Sequence, residues 1–137
     1  MRTIDKVIVH CSATPEGRDI DAAEIRRWHV EGNGWRDIGY HYVIKLDGTI
    51  ELGRDLDDIG SHCKGQNLGS IGVCYIGGID EDGNAKDTRT TEQVESLYLL
   101  MAVLVRMFPG VSIYGHRDFA NKECPSFDAR AEYKELE

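Results

Sequence analysis

Apolar positions recur with two different periods along this chain, and the switch between them marks out the elements. Residues 5–10 (DKVIVH) are β-rich, and Pro15-Glu16-Gly17 breaks the chain soon afterwards. In residues 21–30 (DAAEIRRWHV), Ala22, Ile25, Trp28 and His29 fall at helical spacing, with Asp19 or Asp21 available as N-cap. Gly32 and Gly34 end that helix. Residues 40–46 (YHYVIKL), the turn Asp47-Gly48 and residues 49–52 read as a hairpin. Residues 71–76 form a continuous apolar strand closed by Gly77-Gly78. Thr90 or Thr91 caps a long helix running to Phe108, and Pro109-Gly110 stops it. Residues 111–114 give a last strand, and Ser126 opens a C-terminal helix.

The resulting order is β-α-β-β-β-α-β-α, without internal repeat, low-complexity tract or linker. It predicts a single α/β domain over residues 1–137, with a central mixed β-sheet flanked by helices. That class alone names no function.

Composition narrows the field. A chain of 137 residues can bury a core without disulfides, and 41% hydrophobic with 29% charged residues is the balance of a globular protein. The net charge is −8 with no run of Lys or Arg, which excludes nucleic acid as a partner, because phosphate binding needs a concentrated positive face. The longest apolar run, LYLLMAVLV, spans residues 97–105. A bilayer span needs roughly 20 residues, so no membrane span is expected. The N-terminus passes directly into the first strand without the apolar segment of a secretory signal, so the chain is expected to be cytoplasmic as synthesised. Cys11, Cys63, Cys74 and Cys124 form no C-x-x-C pair, which argues against a redox motif or a zinc ribbon and for free thiols.

Candidate chemistry gathers at strand ends. His10 closes the first strand and His116 follows the last, and ligand sites in α/β sheets are built at carboxyl ends. With the Cys124 thiolate they offer an N, N, S set that suits zinc and leaves a fourth position open. Ordinary hydrogen-bonded histidines and a free thiol account for the same residues. Lys122 lies two positions before Cys124, on the same side of an extended segment, where it serves as an oxyanion donor or as a solvated loop lysine. Strand alternation puts Tyr40, Tyr42 and Ile44 on one face and His41, Val43 and Lys45 on the other. The Tyr40 hydroxyl can meet substrate, although strand tyrosines commonly pack. His41 is an alternative ligand whose mid-strand position favours a core role, and His29 lies on an apolar stripe that makes it structural. His62, in the polar loop SHCKGQN, is placed for substrate contact.

Other motifs fail on inspection. Asp80, Asp82 and Asn84 start like a calcium loop, but Ala85 stands where glycine is required and Thr91 where a bidentate glutamate is required, so a turn is expected. The triplet His116-Arg117-Asp118 lacks the glycine-rich loop and D-F-G of a kinase. Neither G-x-S-x-G nor H-E-x-x-H occurs.

Four collinear segments, VHCSAT (9–14), GWRDIGYHYVIKLDGTIELGRD (34–55), SHCKGQNLGSIGVCYIGG (61–78) and GHRDFANKECPSFD (115–128), resemble the zinc-dependent N-acetylmuramoyl-L-alanine amidases. The similarity is nearest to the small phage amidases historically called lysozymes, with the animal peptidoglycan recognition proteins more distant. The resemblance implies one zinc ion on His10, His116 and Cys124, with Tyr40 and Lys122 catalytic. The implied reaction is metal-assisted hydrolysis of the amide between N-acetylmuramic acid and L-alanine in peptidoglycan. Lys122 would stabilise the oxyanion, and Tyr40 would orient water or assist proton transfer. His62 and Asn67 are implied to line the sugar–peptide groove, while Trp35 packs nearby.

Recognition proteins that lose activity typically replace the cysteine ligand, so Cys124 implies an active enzyme rather than a non-catalytic muramyl-peptide binding module. The expected protein is a monomer of phage or prophage origin, acting on the wall after release or export, or on cytosolic wall fragments. Binding to an intracellular protein partner is a third reading, by analogy with phage relatives.

Overall fold

The computed structural model describes residues 2–137. Strand β1 (Lys6–Cys11) is buried along almost its whole length and forms the centre of the molecule. It pairs in parallel with β5 (Ser70–Tyr75) on one side and β7 (Ser112–Gly115) on the other. Strand β3 (Tyr42–Ile44) joins β5 in parallel, and β4 (Ile50–Leu52) closes the edge antiparallel to β3. The sheet is therefore mixed, in the order β4-β3-β5-β1-β7, as the element order predicts.

Alternation along these strands gives the sheet two unlike faces. Val7, Val9, Ile71, Val73 and Ile113 point to a large core with Leu97, Leu100, Met101 and Leu104 of α2 (Thr91–Met107) and Tyr133 of α3 (Ala129–Tyr133). The other face carries a smaller cluster of Ile20, Ala22, Ile25, Ile38, Val43 and Ile76, built partly from α1 (Ala22–Arg27). On that face β5 presents only Ser70, Gly72 and Cys74, and the space they leave receives the imidazoles described below. No helix of the described residues is long and apolar enough to cross a membrane.

Helix α2 is tied to the sheet through its first turn. Thr90, rather than Thr91, is the cap: its Oγ1 accepts from Gln93 N at 3.0 Å, and Gln93 Oε1 accepts from Thr90 N at 2.9 Å. The same Gln93 side chain, fully buried, donates through Nε2 to the carbonyls of Ile44 (3.2 Å) and Ile76 (3.0 Å).

Several expected elements differ in extent, each for a reason of hydrogen bonding. The first helix starts at Asp21, whose side chain accepts from Glu24 N, but changes to a π-turn over Trp28–Gly32. There His29 O accepts from Trp35 N and His29 Nδ1 from Gly39 N, so contacts outside the helix take over its last turn. The strand expected over 40–46 is regular only over Tyr42–Ile44. Tyr40 O and His41 O, consecutive carbonyls, both accept from the segment across the hairpin, at Arg54 N and Gly53 N, which breaks the alternation. Tyr40 consequently packs with the smaller cluster and does not share a face with Tyr42 and Ile44, which join the larger core.

The segments read as breaks after β1 and β5 pair with each other, as β2 (Thr14–Pro15) and β6 (Gly78–Ile79). Gly77 and Gly78 supply that crossing with φ of 129° and 102°, values open to glycine. The C-terminal helix is capped by Asp128, two residues later than expected, while Ser126 holds a left-handed φ of 70° and donates its hydroxyl to Gly78 O.

Gln93→Leu should keep the fold and lower unfolding stability by about 1–3 kcal/mol, the cost of stranding buried carbonyls. Urea denaturation reads this directly, and an unshifted midpoint would show that the helix-to-sheet tie contributes nothing.

Candidate metal centre and cleft

Strand register delivers the first two site residues. Val9 stands opposite Gly115 across the parallel β1–β7 pair, so the next residues along, His10 and His116, emerge side by side. Their ring centroids are 4.6 Å apart. His10 is 1% exposed. His116 opens a single 3₁₀ turn, His116–Asp118, which Asp118 fixes by accepting from Gly115 N at 2.7 Å.

Cys124 arrives on the loop that follows. Arg117 N donates to Cys124 O (2.8 Å), and the buried Tyr75 hydroxyl donates to Pro125 O (2.7 Å), pinning the loop against the sheet. The loop is a turn, with Lys122 N bonded to Ala120 O at 2.9 Å, so the extended i, i+2 geometry expected for Lys122 and Cys124 does not occur. Lys122 nevertheless reaches the same cleft.

One ligand atom from each of His10, His116 and Cys124 lies within 4.8 Å of the other two. His10 Nδ1 and Cys124 Sγ are 4.0 Å apart. Tetrahedral zinc with ordinary Zn–N and Zn–S bonds needs ligand pairs roughly 3.5 Å apart, so the set fits with movements of a fraction of an ångström to about an ångström.

Protonation also suits a cation. Burial, then the charges of His62, His116 and Lys122, hold His10 well below the usual histidine range. Burial and Lys122 lower His116 as well, so both rings are neutral and have a lone pair to offer. Shared hydrogen bonding lowers the Cys11 thiol to about 7 and, with burial, pushes Cys124 up. A thiolate at Cys124 thus needs a cation beside it, and Cys11 N–H, donating to Cys124 Sγ at 3.2 Å, helps to hold that charge.

A cleft of about 780 Å³ opens over this trio. Tyr40, His62, Asn67, His116 and Lys122 line it, as do His29, Trp35, Lys64 and Phe119. The Tyr40 ring lies 5.1 Å from that of His10. Burial and the neighbouring thiols raise its pKa well above the ordinary value, so the phenol keeps its proton. His62 Nδ1 meets His10 Nε2 at 2.8 Å, and burial lowers its pKa to about 3, with His41 and His116 adding to the shift. Asn67 Oδ1 accepts from His62 N (2.9 Å) and Cys63 N (3.0 Å), shaping the loop.

His41, the alternative ligand, stands outside the trio: its Nδ1 accepts from Gly72 N, and its Nε2 faces Asp58 O and Arg2 Nη2. His29, taken from sequence as structural, packs on Trp35 and Tyr40 and also forms cleft wall.

A family model for N-acetylmuramoyl-L-alanine amidase matches residues 1–127. The chain belongs to this amidase family. The endolysin of Escherichia phage T7 is 47% identical over 126 residues, covering 92% of this chain and 83% of that protein. Among solved structures, the N-acetylmuramoyl-L-alanine amidase LysC from Clostridium intestinale superposes with a TM-score of 0.82 at 26% identity, covering 98% of this chain and 86% of that one. A Drosophila PGRP-LB variant in complex with tracheal cytotoxin superposes with a TM-score of 0.80 at 26% identity, covering 98% and 82%.

In this amidase, sequence reasoning missed two supporting groups. Ser70 Oγ lies 3.2 Å from His62 Nε2, and a Cβ at Gly72 would sit 2.6 Å from the His62 ring. The signal was present: in β5 small residues alternate with Ile71, Val73 and Tyr75, which leaves one face of a buried strand with room for large rings.

Folding buries His10 and His62 neutral, whereas the unfolded chain protonates them below about 6.5. With native pKa values depressed, their contribution to stability is complete above pH 6.5 and is lost as pH falls from there towards about 3. In chelator-treated protein the unfolding free energy should fall by about 1.4 kcal/mol per pH unit for each such histidine. Urea titrations at stepped pH would test this, and a flat profile between pH 6 and 4 would refute it.

Proposed function

We propose that this cleft hydrolyses the amide joining N-acetylmuramic acid to L-alanine, with one zinc ion held by His10, His116 and Cys124. The observation that carries the reading is the meeting of two neutral imidazoles and one thiol within 4.8 Å beneath an open cleft, in a chain of this amidase family. His10, His116 and Cys124 would hold the ion, which when bound would supply the Lewis acidity to polarise the scissile carbonyl and activate a water near neutral pH.

The chain's own residues supply the rest. Lys122 brings an ammonium to the cleft without an ion-pair partner among the described residues, free to hydrogen-bond the oxyanion as the carbonyl becomes tetrahedral. Tyr40, kept protonated, is a hydrogen-bond donor that orients water or relays a proton. Asn67 spends its oxygen on the loop and leaves its Nδ2 for substrate, beside His62 on the cleft wall. Among the described residues no carboxylate lines the cleft, whereas Lys64 and Lys122 do, which suits an anionic muramyl peptide. The whole chain acts in this reading as one monomeric amidase domain on peptidoglycan or its soluble fragments.

Purified protein incubated with peptidoglycan should release new L-alanine amino termini, lose this activity to chelator and regain it with zinc. Zinc-loaded protein that binds wall fragments and releases no peptide would instead be a binding module. Cys124→Ser should lose zinc and turnover together. Lys122→Ala should keep zinc while kcat drops about 10²–10³-fold, the usual effect of removing one oxyanion donor; an unchanged kcat would refute that role.

A further inference from the structure

We propose that His62 and Ser70 form a proton-ordered relay that fixes the tautomer and orientation of His10, so that His10 presents a bare Nδ1 to the metal. The proposal rests on the reading that His10, His116 and Cys124 hold zinc. His10 Nδ1 is the nitrogen facing Cys124 Sγ, at 4.0 Å, while its Nε2 faces His62 Nδ1 at 2.8 Å. His62 Nε2 in turn lies 3.2 Å from Ser70 Oγ.

Counting protons along the chain leaves one arrangement that binds a cation. A ligating Nδ1 must be unprotonated, so the His10 proton sits on Nε2 and donates to His62. His62 Nδ1 must then be bare, which puts its own proton on Nε2, donating to Ser70. The opposite ordering would place a proton on His10 Nδ1, aimed at Cys124, and close the site.

His62 is held for this task on all sides. A Cβ at Gly72 would stand 2.6 Å from its Cγ and Cδ2, and one at Gly60 2.8 Å from Cδ2, so the ring is flanked closely by two glycines. Its backbone N–H is bonded to Asn67 Oδ1. The ring cannot swing into the cleft without giving up His10, which makes His62 a positioning residue. Partners of this kind typically account for 10–100-fold in metal affinity.

Zinc affinity of the full-length protein, measured by competition with a chromophoric chelator, tests the relay without reference to activity. His62→Ala should bind zinc about 10–100-fold more weakly. His62→Gln, whose amide oxygen can still accept from His10 Nε2, should recover part of the loss, and Ser70→Ala should show a smaller decrease. A zinc Kd in His62→Ala within twofold of wild type, with a raised KM for peptidoglycan, would overturn the relay and leave His62 a substrate contact. Two-bond ¹H–¹⁵N spectra of metal-free wild type provide a reading that needs no variant: His10 should be the Nε2–H tautomer, and Nδ1–H would overturn the proposal. Cys124→Ser titrated in parallel separates the two levels. If it too leaves zinc affinity unchanged, the three-ligand reading fails; if it weakens zinc while His62→Ala does not, only the relay fails.

Discussion

The parallel pairing of β1 with β7 positions everything else. Its register sets Val9 against Gly115, and the chemistry begins at the next residue on each strand. Because side chains alternate, a slip of one residue would exchange the faces: Val9 would enter the cleft and His10 would enter the core beneath α2. The large core forbids this, since Val7, Val9 and Cys11 fill it from β1 while Ile71, Val73 and Tyr75 fill it from β5. An imidazole forced among them would be buried without a partner, at a cost of several kcal/mol. The apolar face therefore fixes the register, and the register places His10 and its neighbour His116 on the opposite face.

Backbone bonds and buried side chains bring Cys124, the third member of the candidate set, to the same place. The loop carrying Lys122 and Cys124 is held by Tyr75 at Pro125, by Arg117 at Cys124 and by Ser126 at Gly78. None of these contacts uses a ligand atom of His10 or His116, or the Cys124 sulfur. The cluster is consequently shaped by contacts that need no cation, and supports of this kind give the tight tolerances that a metal site would require.

Much of this was legible in the sequence, and the limits have physical causes. The alternation of DKVIVH, the capping pattern at Thr90 and the turn at Asp47-Gly48 are local signals, and the corresponding elements appear where expected. The π-turn at His29, the pairing of β2 with β6 and the displaced face of Tyr40 all depend on hydrogen bonds between segments, which local pattern does not record. The metal set is the extreme case. His10 and Cys124 are more than a hundred residues apart, and spacing alone left a zinc site and plain histidines as competing accounts. Family resemblance chose the residues, and the parallel register explains why they meet. The Ser70-Gly72-Cys74 face was readable as small, but its occupant, His62, comes from a loop whose path no periodicity predicts.

Charge in the cleft links the protonation of the candidate metal set to the chemistry proposed for it. The chain carries a net charge of −8, yet among the described residues the cleft is lined by Lys64 and Lys122 and by no carboxylate. Burial is the main cause lowering both His10 and His116, and the charge of Lys122 adds to it, so both rings favour the neutral form. In the function proposed above, an ammonium near a bound dication would be unfavourable in the resting protein, and a thiolate at Cys124 would offset only part of that repulsion. Negative charge developing on a substrate carbonyl would, in that reading, relieve the imbalance. Stabilisation that is absent in the ground state and appears with the developing oxyanion is the kind that raises kcat rather than tightening substrate binding. In the function proposed above, the Lys122 charge would act twice: it would add to burial in keeping the imidazoles neutral, and it would leave the cleft short of one negative charge that the transition state would supply.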